Sequence, residues 1–455
     1  MQMIDKQIEL LIKGNLVLPD RVAYNSCVGV SGGVIIGIYD SCCIPDAQKI
    51  IDVSGCFVFP GVVDAHVHSY SFLNEGFENS TAAAAAGGVS TIIEMPYDKG
   101  APVNNPEILE KKIDAVGRLA MVDVALLATL PKTGGIEGIE PMCRLGACGF
   151  KLSLFETDPD RFPRIEDDVL LEVLPLIKAQ GLTAGFHAEN DVIIEALVAR
   201  SKAEKRTDPL AHCRTRPPVS ESLAVGKLLE LTLWTDSSLH IYHCSHPRCV
   251  EMIEWYRAQN VDVTVETCPH YLLMSENDMP QKAAFAKINP PMRKFEEATV
   301  MWQYVINGEI DMITSDHAPW PLENKQNLDI FANGSGAPGL ETLLPLMYSE
   351  GVVARGLSPV ELSRLMSANP AQRFMLAPRK GHIALGADAD FAILDPSIQW
   401  TIKGSESYSS AKWSPYEGMS VTGKVVRTLV RGREVFRNGK ILVEGAGGEY
   451  IPACL

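Results

Sequence analysis

Two histidines one residue apart open the chemistry of this chain. Asp64-Ala65-His66-Val67-His68 follows the apolar run Phe57-Val58-Phe59 and the turn Pro60-Gly61. Side chains alternate between faces in an extended strand, so His66 and His68 project the same way and can grip one metal ion together. Later strand-like segments each end in another metal-competent group: Lys151, His187, His243 and Asp316. Imidazoles, a carboxylate and an amine gathered at strand ends point to a two-metal hydrolase.

Each of these residues has a plainer alternative. Lys151 ends Cys148-Gly149-Phe150-Lys151-Leu152, where a charged ammonium is costly to bury. A buried lysine tends to be neutral, and a neutral amine reacts with carbon dioxide to give a carbamate, a carboxylate able to bridge two metals. Taken alone, the same lysine could equally snorkel to the surface. His187 closes Leu182-Thr183-Ala184-Gly185-Phe186-His187 and is followed by the polar exit Ala188-Glu189-Asn190. His243 has two neighbours of its own kind, His240 and His246; only His243 ends the apolar strand, with His240 read as strand-flanking and His246 as a loop residue. Asp316, in Ile313-Thr314-Ser315-Asp316-His317, could cap a helix; at a strand end it serves as ligand and proton carrier. His270 reads as structural, or as a support behind the ligands.

The elements that must position these groups come in two textures. Between residues 59 and 372, short apolar segments alternate with longer ones of helical spacing. Strands are expected at Val62–His66, Val89–Met95, Val122–Ala128, Ala147–Leu152, Leu182–His187, Leu239–His243, Val261–Glu266 and Ile310–Ser315, and helices at Val169–Lys178, Val192–Lys205 and Leu223–Leu233. Eight β-α units predict an α/β chain with a (β/α)8 TIM barrel, whose active site lies at the carboxyl ends of the strands, where the candidate ligands fall. Residues 1–58 and 373–455 are β-rich: Ile8–Ile12, Gly33–Tyr39 and Lys49–Val53 at one end, Ala389–Leu394 and Val425–Val430 at the other. These two ends predict one β-sandwich domain built from both termini. Ala82 to Ala86 suits a closely packed barrel helix, and Gly87-Gly88 and Gly334-Ser335-Gly336 read as turns, because neither has the spacing of a phosphate loop.

Composition narrows the class. Of 455 residues, 46% are hydrophobic and 21% charged, which suits a compact enzyme, and the formal net charge of −15 repels a phosphate backbone, so nucleic acid is a poor partner. Eleven cysteines without paired spacing fit a reducing, cytoplasmic setting. Met1–Lys6 carries no cleavable apolar stretch, no run approaches the length that spans a bilayer, and Cys454 is too close to the end for a prenylation box, so no membrane role is expected.

Pro60–His68, Gly149-Phe150-Lys151, His187–Asn190, Glu266-Thr267-Cys268-Pro269-His270-Tyr271, Ser315-Asp316-His317 and Gly381–Asp390 together resemble, in order, the motifs of the cyclic amidohydrolases, which include allantoinase, hydantoinase, dihydropyrimidinase and dihydroorotase. The resemblance implies that His66, His68 and Asp316 hold one metal and His187 and His243 a second, with carbamylated Lys151 as the bridge. It also implies ring opening at a C–N bond, with Asp316 passing a proton to the departing nitrogen. Zinc suits such ligands; manganese, cobalt and iron also bind them. A homotetramer is implied as well.

Ser69 and Tyr70 follow the histidine pair where dihydroorotases carry an arginine, which disfavours that activity. Ile92–Pro96, the Cys-Pro-His-Tyr segment, Asn307–Asp311 and Trp413–Tyr416 resemble allantoinases most, which makes allantoin the expected ring; L-type hydantoinases share the first of these and Gly339–Thr342. Phe155, Asn289 and Ser335 stand where relatives carry a tyrosine, a serine and an asparagine among substrate contacts. Related non-catalytic scaffold proteins have lost metal ligands, whereas all six positions are filled here.

Overall fold

The computed structural model of the chain describes residues 7–443 and 446–454; the expectation for Met1–Lys6 lies outside them. The chain begins with four strands, β1 (Ile8–Val17), β2 (Val22–Ser31), β3 (Val34–Tyr39) and β4 (Ala47–Pro60). Only Gly61 separates β4 from the first barrel strand, and it must be small: a Cβ there would lie 2.0 Å from the Ser90 hydroxyl.

Eight short parallel strands then follow: β5 (Val62–Val67), β6 (Val89–Glu94), β7 (Asp123–Leu126), β8 (Phe150–Ser153), β9 (Ala184–His187), β10 (Ser238–Ile241), β11 (Asp262–Thr267) and β12 (Met312–Ile313). Ladders join β5-β6-β7 and β8-β9-β10-β11-β12, and bridges between Ala128 and Phe150 and between Val67 and His317 close the ring. The strands are buried on both faces, which is why they read as continuous apolar runs. Val63, Ala65, Ile93, Ala125 and Leu127 pack in one cluster, while Val62, Ile92, Val124 and Leu126 belong to the larger cluster that includes the surrounding helices.

The helices expected at Val169–Lys178 and Leu223–Leu233 fall within Asp167–Ala179 and Pro218–Thr235, and the one expected at Val192–Lys205 is Asp191–Ala203, two residues shorter at its end. The alanine run lies in the helix Gly76–Gly87, buried throughout, and a Cβ on Gly87 would meet the Leu340 carbonyl at 2.3 Å. The eighth strand is shorter than the predicted Ile310–Ser315. The Thr314 N–H still bonds the Thr267 carbonyl at 3.1 Å, and past it the side chain of Asp64 replaces the ladder, its Oδ1 accepting the backbone N–H of Ser315 at 3.1 Å.

After the barrel come β13 (Phe391–Thr401), β14 (Ser420–Val430), β15 (Arg433–Arg437) and β16 (Lys440–Ile441). Both ends of the chain enter one eight-stranded sheet in the order β16-β15-β14-β13-β4-β1-β2-β3. The sheet curls: Ala387 and Ala389, just ahead of β13, bond the backbone of Ile35 and Gly33 at its far edge. Its inner faces thus share one core of Ile12, Val28, Ile35, Val58, Phe391, Ile393 and Leu429, the sandwich domain expected from both termini. The last residues return to the barrel, where Glu449 and Ile451 pair with Val124 on β7.

Candidate active site

The barrel brings all six predicted ligand residues to one end. His66 lies in β5 and His68 just past it, Lys151 lies in β8, His187 ends β9, and His243 and Asp316 follow β10 and β12 by a few residues. His243 (φ 40°) and Asp316 (φ 46°) adopt left-handed backbone, a conformation that costs non-glycine residues about 1 kcal/mol or more and recurs at functional sites. In both cases it turns the chain sharply at the rim as the strand ends.

The donor atoms form two facing groups. Nε2 of His66 lies 3.2 Å and Nε2 of His68 3.7 Å from Oδ1 of Asp316. Across from them, Nδ1 of His187 lies 2.9 Å from Nε2 of His243. Burial, reinforced by the neighbouring Lys151, holds His66 and His68 well below the usual imidazole range, and burial with His187 beside it does so for His243. Neutral imidazole is the form that binds metals.

Lys151 is buried, its ammonium has no hydrogen-bond partner among the described residues, and it sits 3.5 Å above the Tyr242 ring. Burial brings its pKa down to about 7 against the opposing pull of Glu266 and Asp316. An orphaned buried amine among neutral imidazoles and a carboxylate is a donor set that fits a divalent metal pair with a carbamate between them.

Partners behind the ligands set their orientation. Glu266, in β11, places Oε1 2.5 Å from His66 Nδ1 and accepts the His243 backbone N–H at 3.1 Å, so Nε2 of His66 is the nitrogen left facing Asp316. Glu189 lies 2.9 Å from His187 Nε2 and is paired with Arg216, which leaves Nδ1 facing His243. Asp64 accepts the backbone N–H groups of both His66 and Ser315.

Of the other histidines, His240 departs from the sequence reading, while His246 lies in a loop as expected. His240 does not flank its strand: it lies inside β10, fully buried, 2.8 Å from the Thr264 hydroxyl and 3.4 Å from Glu266. His246 caps the helix Pro247–Arg257, its Nδ1 accepting the Arg248 N–H, and His270 is buried in a short helix with Nε2 unpartnered among the described residues.

The donors floor a cavity of about 260 Å3, walled by Ser71, Tyr97, Thr157, Arg161, Phe162, Asn289, Ala318, Trp320 and the turn Asn333–Gly336. Asn289 offers a buried Oδ1 without a partner among the described residues. Ser335 reaches the cavity because its turn is pinned. Trp320 Nε1 donates to the Ser335 carbonyl at 2.7 Å, Lys325 donates to the Gly334 carbonyl at 2.9 Å, and a Cβ on Gly334 would stand 2.2 Å from the Trp320 ring. The Gly-Ser-Gly segment, read as a turn with Ser335 a candidate substrate contact, is a wall of the cavity. Phe155 is set back from the lining, its ring 6.1 Å from that of His187 and 4.7 Å from the Arg216 guanidinium.

Four contributors were not singled out from sequence: Glu266, Tyr97, Arg161 and Trp320. For Glu266 a signal existed, a lone acid closing the β-branched run Val263-Thr264-Val265. The other three lie on loops whose convergence is decided by distant parts of the chain.

A family model described as the amidohydrolase family matches residues 57–435. A protein named allantoinase from Rubrobacter xylanophilus is 37% identical over 97% of both chains, and one named L-hydantoinase from Paenarthrobacter aurescens is 37% identical over 89% of this chain and 90% of its own. Among solved structures, an L-hydantoinase (dihydropyrimidinase) from Arthrobacter aurescens superposes with a TM-score of 0.94 at 34% identity, covering 98% of this chain and 100% of that one.

Proposed function

The chain belongs to the amidohydrolase family, and from that membership we propose that it hydrolyses a ring amide bond of a cyclic ureide, opening allantoin to allantoate. The observation that carries this reading is the orphaned Lys151 amine between the His66/His68/Asp316 and His187/His243 groups. Relatives named allantoinase, at 32–37% identity across nearly the whole chain, favour allantoin as the ring. A second reading, an L-hydantoinase acting on 5-substituted hydantoins, draws on the equally similar Paenarthrobacter aurescens protein.

His66, His68 and Asp316 would hold one divalent metal, His187 and His243 the other, and Lys151 as its carbamate would join them; zinc is the ion we favour. When bound, such a pair supplies Lewis acidity, polarising the scissile carbonyl and making water acidic enough to attack near neutral pH. The protein's own groups do the rest. Asp316, buried at the cavity floor, takes the proton that the attacking water releases and returns it to the ring nitrogen as the C–N bond breaks. Asn289 Oδ1 accepts an N–H of the ring and fixes its orientation, and Phe162 stacked on Tyr97 at 3.5 Å gives the ring a flat wall.

Protein supplied with divalent metal and bicarbonate should convert allantoin to allantoate and hold two metal ions per chain. Lys151→Ala should lose the paired metals and at least about 100-fold in turnover, as expected when a group bridging the catalytic ions is removed. Full activity in that variant, or no ring opening by the wild type, would contradict the proposal.

A further inference from the structure

Among the described residues, Arg161 is the one wall residue of the cavity whose charge the ring-opening chemistry leaves unused. Its guanidinium is partly buried. Nη1 reaches the carbonyls of Ser71 and Tyr97 at 3.4 Å each, long for hydrogen bonds, and among the described residues the guanidinium has no other hydrogen bond and no carboxylate within ion-pair distance. The nearby acids are committed elsewhere. Asp158 accepts the backbone N–H groups of Asp160 and Arg161 at 3.1 and 3.0 Å, and Asp98 is paired with Lys112. A half-desolvated guanidinium without an anion forgoes its strongest interactions, and an acceptor brought by a ligand restores them.

Its position says which part of a ligand that is. Arg161, Ser71 and Trp320 line both the inner cavity and an outer chamber of about 800 Å3 bounded by Leu73, Asp160 and Pro321. The scissile amide must lie against the His and Asp donors at the inner end, so a substituent on the ring carbon leaves toward the outer chamber. Phe72 against Trp320 (ring centroids 4.0 Å apart) and the Tyr97–Phe162 stack make the flanking walls aromatic, so the guanidinium stands between two aromatic pairs where the chambers meet, with Lys99, Asp160 and Glu323 lining only the outer one.

We propose that Arg161 is a specificity-determining residue that binds an acceptor oxygen on the substrate's exocyclic substituent, a ureido carbonyl or a carboxylate, and so selects polar over apolar 5-substituted rings. This rests on the proposed cyclic-ureide chemistry of the same site and adds to it what the ring must carry.

The test compares wild type, Arg161→Lys and Arg161→Leu on three hydantoins that differ only in the C5 substituent: ureido, which is allantoin, carboxymethyl and isobutyl. Loss of a charge-assisted hydrogen bond predicts that Arg161→Leu loses at least about tenfold in kcat/KM on the acceptor-bearing rings, mostly through KM. The isobutyl ring should stay within about threefold, which also reports that the variant is folded, and Arg161→Lys should fall between. The ureido and carboxymethyl arms distinguish a neutral from an anionic acceptor. Equal losses on all three rings, or none, would overturn the assignment. Should the wild type open no ring, the proposed reaction falls while the subsite is still decided by calorimetric binding of the same compounds: tenfold weaker binding of the acceptor-bearing rings to Arg161→Leu supports it, and unchanged or absent binding overturns it.

Discussion

At the scale of single residues, the site is a set of donors whose protonation and aim are set from behind. Glu266 is the clearest case, because one carboxylate meets His66, His240 and the backbone of His243. Burial pushes its carboxyl up to about 8, with Lys151 opposing, so it is costly to keep in place for packing alone. Glu266→Gln keeps the volume but replaces one of the two carboxyl oxygens that face His66 and His240 with an amide NH2, and should weaken metal binding about 10–100-fold in a metal titration followed by calorimetry. Unchanged affinity would mean that His66 is oriented by the barrel itself. The candidate ligands could be singled out in the sequence because strand-end histidines in apolar runs have few other uses, and Lys151 because an ammonium in such a run needs a reason. Arg161, Tyr97 and Trp320 were not, since an exposed-looking loop residue carries no local mark of the cavity it will face.

At the scale of elements, the barrel strands deliver the candidate ligands and small residues allow the close approaches behind them. Gly185 in β9 shows the constraint: a Cβ there would lie 2.1 Å from the Tyr242 ring, the same ring that lies under the Lys151 amine. Gly185→Ala should therefore overpack the barrel interior by about 1–3 kcal/mol, seen as a lowered Tm, and should lower turnover by displacing Tyr242. A variant with wild-type Tm and turnover would show that Tyr242 can move freely. The eight-strand rhythm could be read from apolar runs of five to seven residues, but strand lengths could not. The last barrel strand shrinks to Met312–Ile313 because the Asp64 carboxylate takes over the backbone bonding at Ser315, a contact between residues 251 positions apart. His240 was read as flanking its strand for a related reason: it is polar in an apolar segment, and the partners that make it tolerable, Thr264 and Glu266, lie on the neighbouring strand.

At the scale of the whole molecule, the sheet built from both termini is fastened to the barrel by buried charge. Lys380 lies within 2.5–2.8 Å of Asp123 at the start of β7 and of Asp388 and Asp390 ahead of β13, and Arg431 in the turn after β14 also pairs with Asp123. Replacing Lys380 with Met would leave buried aspartates uncompensated and should cost about 3–5 kcal/mol in denaturant unfolding. Burial raises the Asp123 carboxyl, but Lys380 and Arg431 overcome it and hold it below the usual carboxylate range. A folded-state pKa below the unfolded one gives stability that is present above about pH 4, the ordinary aspartate value, and lost as the pH falls through the lower folded value. Acid unfolding should therefore begin below about pH 4 in the wild type, and a flat stability between pH 5 and 2 would contradict the pairing.

One measurement bears on the central claim most directly. The protein, supplied with divalent metal and bicarbonate, is incubated with equimolar allantoin, a racemic 5-substituted hydantoin and dihydrouracil, and the products are identified by mass spectrometry. Allantoate as the dominant product is the predicted result. Carbamoyl amino acid without allantoate would move the activity to the hydantoinases, and no ring-opened product from any of the three would contradict the account.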